Sequence, residues 1–170
     1  LIDIARVHKV FLESLKADRL AEGNLRARIR MCLLYYHANL LKRLVVGTGD
    51  MSEILIGYFT KYGDGGADLM PIGGLFKSQV RELGRRIGVP SKVFDKRSSP
   101  GLWPGQTAED EIGLRYDFID QILYLVFERR LSWSEAGVVV EVKPEDVDRI
   151  RRMYEKSGHK RAVAEICEIK

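Results

Sequence analysis

Residues 44–53 have the sequence LVVGTGDMSE, in which a short apolar run at 44–46 leads directly into Gly-Thr-Gly. A β-branched apolar run that ends at glycines is typical of a buried parallel strand followed by a turn. Asp50 or Ser52 can then cap a helix that begins after the turn. The segment therefore predicts a strand, a turn and a helix, and an open α/β sheet binds its ligands at such a point.

The start of the predicted helix is suited to a phosphate group. Its unpaired N–H groups and the positive end of its dipole attract anions, and Thr48 adds a hydroxyl donor beside them. Glu53 lies in the first turn, where a carboxylate either interacts with the helix dipole or holds a Mg²⁺ ion next to a phosphate. The spacing alone leaves both roles open for Glu53.

Residues 57–68 have the sequence GYFTKYGDGGAD, which we call the glycine-rich loop. The four residues at 63–66 are typical of an ordinary flexible turn, and that is one interpretation. Lys61 and Asp68 favour another, because a cation and an anion seven residues apart on a pliable loop can face different parts of one polar ligand.

The glycine-rich loop is one of six ordered motifs that resemble ammonia-dependent NAD synthetase, a family of the N-type ATP pyrophosphatase superfamily. Gly47, Thr48 and Glu53 precede the loop as in that family, and Pro71-Ile72 follows it. The other motifs are GNLRARIRM at 23–31, KSQV at 77–80, LWPGQT at 102–107 with Glu109, and HKR at 159–161. One such loop is common but six motifs in order are not, so the resemblance is specific from about residue 23 to 161.

The resemblance implies a two-step amidation. In the family, ATP adenylates the nicotinate carboxylate of deamido-NAD and releases pyrophosphate, and ammonia then attacks the acyl adenylate to give NAD and AMP. A carboxylate becomes a good electrophile only when its oxygen is part of a leaving group, and joining two polyanions needs Mg²⁺ and cationic side chains. No protein nucleophile is required.

The resemblance also implies roles for individual residues. Thr48, Lys77 and Ser99 match positions that contact ATP, with serine at 99 where many family members have threonine. Glu53 matches a magnesium ligand. Five positions match residues that hold deamido-NAD: Arg28, Lys61, Asp68, His159 and Lys160.

Some of these residues have simpler interpretations. Arg28 lies in a predicted helix at 24–43, where three arginines in five residues usually form a solvated face. His159 follows Gly158, the predicted C-cap of a helix at 144–157, and a terminal histidine is usually just exposed. Trp103 fits a plain Ω-loop as well as a substrate lid. Lys77 begins a predicted helix at 77–87, where a cation opposes the dipole and therefore indicates a nearby anion.

Composition agrees with one globular domain. The 170 residues are 45% hydrophobic, enough to bury one core, and the net charge of +4 is too small and too mixed with acids to indicate nucleic-acid binding. Cys32 and Cys167 have neither a C-x-x-C partner nor a zinc spacing, which favours a reduced cytoplasmic protein. No apolar stretch approaches the length of a membrane span.

The resemblance implies a Rossmann-like open parallel sheet flanked by helices, the adenine nucleotide alpha hydrolase-like fold. The sequence contains only one confident strand and lacks the Ser-Gly-Gly-x-Asp-Ser loop with which the family grips ATP phosphates. We therefore expect residues 1–170 to be a single, mostly helical domain, the C-terminal two-thirds of an NAD synthetase domain, and to be inactive alone. Later helices are predicted from a capping pair at Thr107 and Asp110 and from an apolar segment that begins at Asp117.

Two alternatives stay open. One is another adenylating enzyme of the same superfamily, and the other is a noncatalytic nucleotide-binding module descended from a synthetase. The sequence of the glycine-rich loop resembles that of ammonia-dependent NAD synthetases more than that of glutamine-dependent ones. A homodimer is implied by the resemblance alone.

Overall fold

The computed structural model describes residues 2–13, 15 and 18–169. Helices dominate this part of the chain, in agreement with the prediction of a mostly helical portion. In order they are α1 (Ile4–Leu12), α2 (Arg19–Leu41), α3 (Met51–Ile56), α4 (Lys77–Arg86), α5 (Ser91–Phe94), α6 (Ala108–Ile112), α7 (Tyr116–Phe127), α8 (Trp133–Val140) and α9 (Pro144–Lys156), followed by a 3-10 turn (Gly158–Lys160).

Helix starts follow the capping residues in the sequence. Asp50 caps α3 and Thr107 caps α6, each by accepting a hydrogen bond from a backbone N–H in the first turn. The helix predicted at 24–43 begins earlier, at Arg19, because the carboxylate of Asp18 accepts a hydrogen bond from the Ala21 N–H at 2.7 Å. The helices predicted at 77–87 and 144–157 each end one residue earlier than predicted.

Two predicted details of the helix ends are wrong. The apolar segment expected to start at Asp117 forms α7 from Tyr116, with Arg115 as the N-cap residue. Gly158 is not the C-cap of α9, because Ser157 takes that position and Gly158 begins the 3-10 turn. The tight turn therefore contains His159 and Lys160 of the HKR motif.

The predicted buried strand at 44–46 is reduced to a single parallel bridge between Val46 and Leu69. Two backbone hydrogen bonds support the bridge: Gly47 N–H to the Leu69 carbonyl at 2.8 Å, and Asp68 N–H to the Val45 carbonyl at 2.9 Å. A strand needs an extended neighbour along its length, and the described residues supply one for these positions only. Val45 is buried, whereas Val46 is exposed.

The core forms around α7. Ile119 and Leu123 belong to one buried cluster, and Ile122 belongs to a second cluster shared with α8 and α9. All three side chains are fully enclosed. The apolar segment predicted from Asp117 onward therefore contributes to both core clusters. The first cluster is completed by Ile56, Phe76, Ala108, Ile112, Tyr116 and Ile150.

The segment around Trp103 packs on the first part of α2. Arg26 donates a hydrogen bond to the Leu102 carbonyl at 2.5 Å, and the Arg19 guanidinium lies 4.3 Å from the centre of the Trp103 ring. Gly23 is needed at this contact, since a Cβ there would lie 3.0 Å from the Leu102 side chain. These contacts anchor the loop, and the choice between a static loop and a lid stays a prediction.

No helix within the described ranges combines the length and the apolar character that a membrane crossing requires.

Candidate functional site

The best-defined cluster of charged side chains lies where α3 and α4 meet. Lys77, the first residue of α4, places its ammonium 2.5 Å from a carboxylate oxygen of Asp50 and 2.9 Å from one of Glu53. Asp50 is only 2% exposed, and the Lys77 side chain is largely covered. The lysine is therefore held in one position by two carboxylates.

Hydrogen bonds between neighbouring residues at the start of α3 orient both carboxylates. Asp50 caps α3 by accepting a hydrogen bond from the Glu53 N–H at 2.9 Å, and the Glu53 carboxylate faces the Asp50 N–H at 3.4 Å. This reciprocal arrangement is a capping box. Each residue still has a carboxylate oxygen directed at Lys77, so the helix start also forms a cation-binding pair.

Burial and charge act in opposite directions on these groups. Burial raises the pKa of the Glu53 carboxyl, and the neighbouring Asp50 carboxylate raises it further, against the lowering effect of Lys77. For Lys77, burial would lower the pKa, but the Glu53 and Asp50 carboxylates outweigh it and the pKa lies above its ordinary value. The ammonium is thus charged at neutral pH.

A buried hydrogen-bond network connects this cluster to α7. Asp120 of α7 accepts a hydrogen bond from the Ser52 hydroxyl at 2.5 Å and another from the Ser78 N–H at 2.7 Å. Ser52 in turn accepts the Lys77 N–H at 2.9 Å. Burial raises the pKa of the Asp120 carboxyl although these donors oppose the shift. We call the group of Asp50, Ser52, Glu53, Lys77, Ser78 and Asp120 the α3–α4 junction.

Tyr116 closes the floor of the α3–α4 junction. The Lys77 ammonium lies 4.8 Å from the centre of its ring, within the range of a cation–π contact. Tyr116 is fully buried, and its hydroxyl has no hydrogen-bond partner in the described part of the chain. Burial raises the pKa of the phenol, and the nearby Glu53 and Asp50 carboxylates add to the rise.

An open cavity of about 440 Å³ lies beside the junction, between α4 and the segment that follows α5. Lys77 and Ser99, two of the three positions that match ATP contacts, both line it. Three further cations line the same cavity: Arg81, Lys96 and Arg97. Thr48 is exposed in the loop before α3 and does not contribute to this lining.

Four of the five residues predicted to hold deamido-NAD lie along one chain of contacts. Arg28 on α2 donates a hydrogen bond to the Lys61 carbonyl at 3.3 Å, and Lys61 donates to the His159 carbonyl. Lys160 donates to the carbonyls of Gly57 and Phe59 at 2.8 and 2.7 Å. Burial lowers the pKa of Lys160, the Asp64 carboxylate opposes this shift, and the nearby Arg28 lowers the pKa further. The glycine-rich loop thus joins α2 to the HKR motif.

Asp68, the fifth of these residues, lies at the parallel bridge instead. Its carboxylate accepts the Val45 N–H at 2.7 Å and the Tyr35 hydroxyl at 3.1 Å. Both carboxylate oxygens therefore have protein donors. The side chain is nevertheless exposed at this edge.

Glu53 is the residue predicted to bind a metal. The described residues contain no group of three or more His, Cys, Asp or Glu side chains arranged around one ion position. A single carboxylate nevertheless fits Mg²⁺, which is often held by one or two carboxylates while phosphates and water supply the other oxygens. The Glu53 side chain reaches the surface, and its second oxygen is engaged only by the long contact to the Asp50 N–H.

Sequence reasoning assigned no ligand or support role in the site to the side chains of Asp50, Ser52 and Asp120, which complete the α3–α4 junction. Asp50 was expected to cap α3, but its ion pair with Lys77 depends on a residue 27 positions later. Ser52 and Asp120 lie 68 positions apart. One signal was present, because a carboxylate among the buried apolar residues of α7 must have hydrogen-bond donors.

The cavity beside Lys77 is lined by four cations as well as by apolar residues of α4 and α5, which suits a phosphate-bearing ligand with an apolar part. Comparison with known proteins gives the particular family: a family model described as NAD synthase matches residues 1–164. The chain belongs to the NAD synthase family.

Individual relatives agree with this assignment. An NH(3)-dependent NAD(+) synthetase of Hyperthermus butylicus is 52% identical over 165 residues, which cover 96% of this chain and 60% of the relative. The solved structure of NMN synthetase from Francisella tularensis is 38% identical, with a TM-score of 0.84, and covers 99% of this chain and 66% of that one. An NH3-dependent NAD synthetase from Campylobacter jejuni, solved with a nitrate ion, is 27% identical, with a TM-score of 0.77 over 98% and 64% of the two chains. The chain therefore spans about 60% of the length of the Hyperthermus relative.

Proposed function

We propose that this chain is part of an enzyme that amidates deamido-NAD to NAD with ATP and ammonia, releasing AMP and pyrophosphate. The observation that carries the proposal is the Lys77 ammonium, fixed by Asp50 and Glu53 at the start of α4 and facing a cavity that Ser99 also lines. A fixed, charged lysine stabilises the negative charge that develops on phosphate oxygens during adenylation. Membership of the NAD synthase family supports ATP and deamido-NAD as the substrates.

On the ATP side, Lys77 and Ser99 bind phosphate oxygens, and Thr48 contributes its hydroxyl from the loop before α3. Lys77 is well suited to this role because its burial removes competing water and its carboxylate neighbours keep it protonated. Ser99 donates from a segment whose turn is held by the Gly101 N–H to Ser99 hydroxyl hydrogen bond at 3.1 Å. Binding and orientation are the contributions of these side chains.

On the other side of the site, Arg28, Lys61, Asp68, His159 and Lys160 hold deamido-NAD. Arg28 and Lys61 supply cations for the anionic parts of this substrate, and Asp68 accepts hydrogen bonds from its polar groups. Their existing contacts with backbone carbonyls fix the position of the loop on which Lys61 lies. The acyl adenylate is then exposed to ammonia without any protein nucleophile.

Mg²⁺ is the proposed metal, held by Glu53 together with phosphate oxygens and water. Bound there, the ion would offset charge on the polyphosphate and so make pyrophosphate a better leaving group. Glu53 would exchange part of its contact with Lys77 for this role. Asp50 would keep the lysine in place, since its carboxylate lies 2.5 Å from the same ammonium.

We also propose the setting in which this site works. Residues 1–170 would be a single domain equivalent to the C-terminal two-thirds of an NAD synthetase domain, with the bridge at Val46 and Leu69 belonging to a Rossmann-like open parallel sheet. The protein would act in the cytoplasm as a homodimer. The match to the Campylobacter synthetase fold supports the sheet.

A second candidate is amidation of the mononucleotide, nicotinate mononucleotide, instead of the dinucleotide. The observation that favours it is the TM-score of 0.84 with the NMN synthetase from Francisella tularensis, at 38% identity. Both reactions convert the same nicotinate carboxylate to an amide. The substrates differ only in the adenylate half, so one competition experiment separates them.

The test is a chromatographic assay of NAD, NMN and AMP. This chain and the longest natural protein that contains it are incubated with ATP, Mg²⁺, ammonia and an equal mixture of deamido-NAD and nicotinate mononucleotide. We expect the longer protein to form NAD and AMP in equal amounts and this chain alone to form neither. NMN in place of NAD would establish the second candidate, and AMP without either amide would contradict both.

Paired variants link the activity to the site. Lys77→Met should abolish product formation, because an apolar side chain cannot stabilise phosphate charge. Lys92→Met is the matched control, since Lys92 is exposed on α5. Equal activity of the two variants would remove Lys77 from the site.

A further inference from the structure

The guanidinium of Arg161 covers the C-terminal end of α3. Its Nη1 group donates to the Leu55 carbonyl at 2.6 Å and lies 3.4 Å from the Ile54 carbonyl. Arg161 follows the 3-10 turn after α9, so more than 100 residues separate it from these acceptors. It was noted in the sequence as part of the HKR motif but had no role.

The end of α3 needs such donors for a physical reason. The last turn of any helix leaves carbonyl groups without partners inside the helix, and its dipole attracts positive charge. In α3 the chain leaves through Gly57 in the left-handed conformation, with φ of +69°. Gly57 cannot be replaced easily, because a Cβ at this position would lie 2.1 Å from the Ser157 Cβ. The close approach of Ser157 brings Arg161 within reach.

The other side of the guanidinium is anchored to the end of α9. Nη1 contacts the Ser157 hydroxyl at 2.7 Å, Nη2 donates to the Tyr154 carbonyl at 2.7 Å, and the guanidinium carbon lies 4.3 Å from the centre of the Tyr154 ring. Arg161 thus joins α9 to α3 by one rigid, planar group. Lysine could not do the same, because its single ammonium cannot span acceptors on two helices with fixed geometry.

This joint lies next to the proposed site without being part of it. The six residues of α3 begin beside Asp50 and include Glu53, so a shift at one end of so short a helix moves both carboxylates. Both terminal nitrogens of Arg161 already have protein acceptors. The residue is therefore engaged in joining α3 to α9 through both of its terminal nitrogens.

We propose that Arg161 is a positioning residue, which holds the C-terminal end of α3 against α9 and so fixes the placement of Glu53 and Asp50 relative to Lys77. Its kinetic consequence rests on the proposed function, whereas its structural consequence does not. Loss of the guanidinium leaves the Leu55 carbonyl without its donor and lets α3 open at this end. Misplacement of reacting groups by about 1 Å can cost roughly 100-fold in rate.

The structural test is native-state hydrogen exchange on this chain. In Arg161→Gln, the amides of Ile54, Gly57 and Tyr58 should exchange at least about tenfold faster, as expected for the loss of a hydrogen bond to a charged group. Amides of α7 should keep their protection. Arg151→Gln is the matched control, since Arg151 is exposed on α9 and pairs with Glu155 of the same helix. Unchanged exchange in α3, or a uniform increase throughout α7, would overturn the proposal.

A second variant and a kinetic measurement complete the test. If Arg161→Gln does not fold, Arg161→Lys decides in the same way, because it keeps the charge but loses the planar group. In the longest natural protein that contains this chain, Arg161→Gln should lower kcat roughly 100-fold with little change in KM for deamido-NAD, and Arg161→Lys should recover part of kcat. A higher KM with unchanged kcat would make Arg161 a substrate contact and overturn the proposal. A wild-type protein without synthetase activity would reject the proposed function, while the exchange result would still stand.

Discussion

The two halves of the candidate site hold their lysines in opposite ways. At the α3–α4 junction, the carboxylates of Asp50 and Glu53 surround Lys77, and a buried carboxylate on α7 supports them. On the glycine-rich loop, Lys61 and Lys160 are bound by neutral backbone carbonyls. A carboxylate in direct contact fixes both the position and the protonation of a lysine, whereas a backbone carbonyl fixes its position without adding an opposite charge.

The first prediction concerns Asp120, the buried carboxylate whose hydrogen bonds support the α3–α4 junction. Asp120→Ala leaves the Ser52 hydroxyl and the Ser78 N–H without an acceptor, and hydrogen bonds to a charged group contribute about 1.5 to 3 kcal/mol each. We expect the free energy of unfolding to fall by about 3 to 5 kcal/mol, measured by denaturant titration at neutral pH. Asp117→Ala is the control on the same helix, and its exposed pair with Arg81 at 3.9 Å should contribute less than about 1 kcal/mol. An equal decrease in the free energy of unfolding for the two variants would show that the buried network stabilises the protein no more than the exposed ion pair does.

The second prediction concerns Gly57, the C-cap of α3 and the first residue of the glycine-rich loop. Gly57→Ala forces a left-handed conformation on a residue with a Cβ, which costs about 1 to 2 kcal/mol, and also places that Cβ against Ser157. With the overpacking added, we expect a loss of about 3 kcal/mol in the free energy of unfolding. Gly88→Ala has the same conformational cost at φ of +77° but meets no atom within 4 Å. If Gly57→Ala lowered the free energy of unfolding no more than Gly88→Ala, the close packing of Ser157 against Gly57 would be contradicted.

The third prediction concerns the floor of the junction. Tyr116→Phe removes a buried hydroxyl that has no partner in the described residues, so stability should rise by about 1 kcal/mol. Tyr58→Phe should have the opposite effect by a similar amount, because the Tyr58 hydroxyl donates to Glu111 at 2.5 Å. Thermal unfolding of both variants gives the comparison. Destabilisation by Tyr116→Phe would mean that the hydroxyl does have a partner.

The fourth prediction sharpens the contrast between the two lysines by titration. The pKa of Lys77 should lie above 10.5, because the Glu53 and Asp50 carboxylates outweigh the effect of burial. The pKa of Lys160 should lie below 10.5, because burial disfavours its charge. NMR of ¹³C-dimethylated lysines measures both, with Lys77→Arg and Lys160→Arg variants to assign the signals. Shifts in the same direction would contradict the comparison.

The sign of each contribution to stability follows from these shifts. The stabilisation from Lys77 is fully present below its unfolded pKa of 10.5 and is lost as the pH rises through the higher folded value. Lys160 behaves in reverse, since the unfolded chain binds its proton more tightly. Stability from that residue therefore increases as the pH rises from the lower folded pKa to 10.5.

The sequence predicted those parts of the molecule that depend on neighbouring residues. Caps act over three or four positions, so the start of α3 was predicted at Asp50 or Ser52, and that of α6 from Thr107 and Asp110; Asp50 and Thr107 are the caps in the structure. The resemblance selected residues on both sides of the site, and the structure brings two of them, Lys77 and Ser99, to one cavity. Of the predicted strand, the described residues form only one parallel bridge, because pairing depends on neighbours that a pattern of apolar residues does not contain.

The contacts that fix the site could not be predicted from spacing. Ser52 meets Asp120 across 68 positions, and Arg161 meets Leu55 across 106. Neither pair has a local pattern, since each depends on how two helices pack. The roles of the predicted ligand residues stay predictions.

The long separation between Arg161 and α3 also bears on how the site is assembled during folding. Contacts between residues far apart in the chain must first overcome the entropy of closing a large loop, so they form after local helices and hairpins. α7, α8 and α9 are consecutive and can pack early, whereas the joint at Leu55 needs the last residues of the HKR motif. We therefore expect the part of the core formed by α7, α8 and α9 to fold before the joint at Leu55, so that α3 takes its final position late in folding.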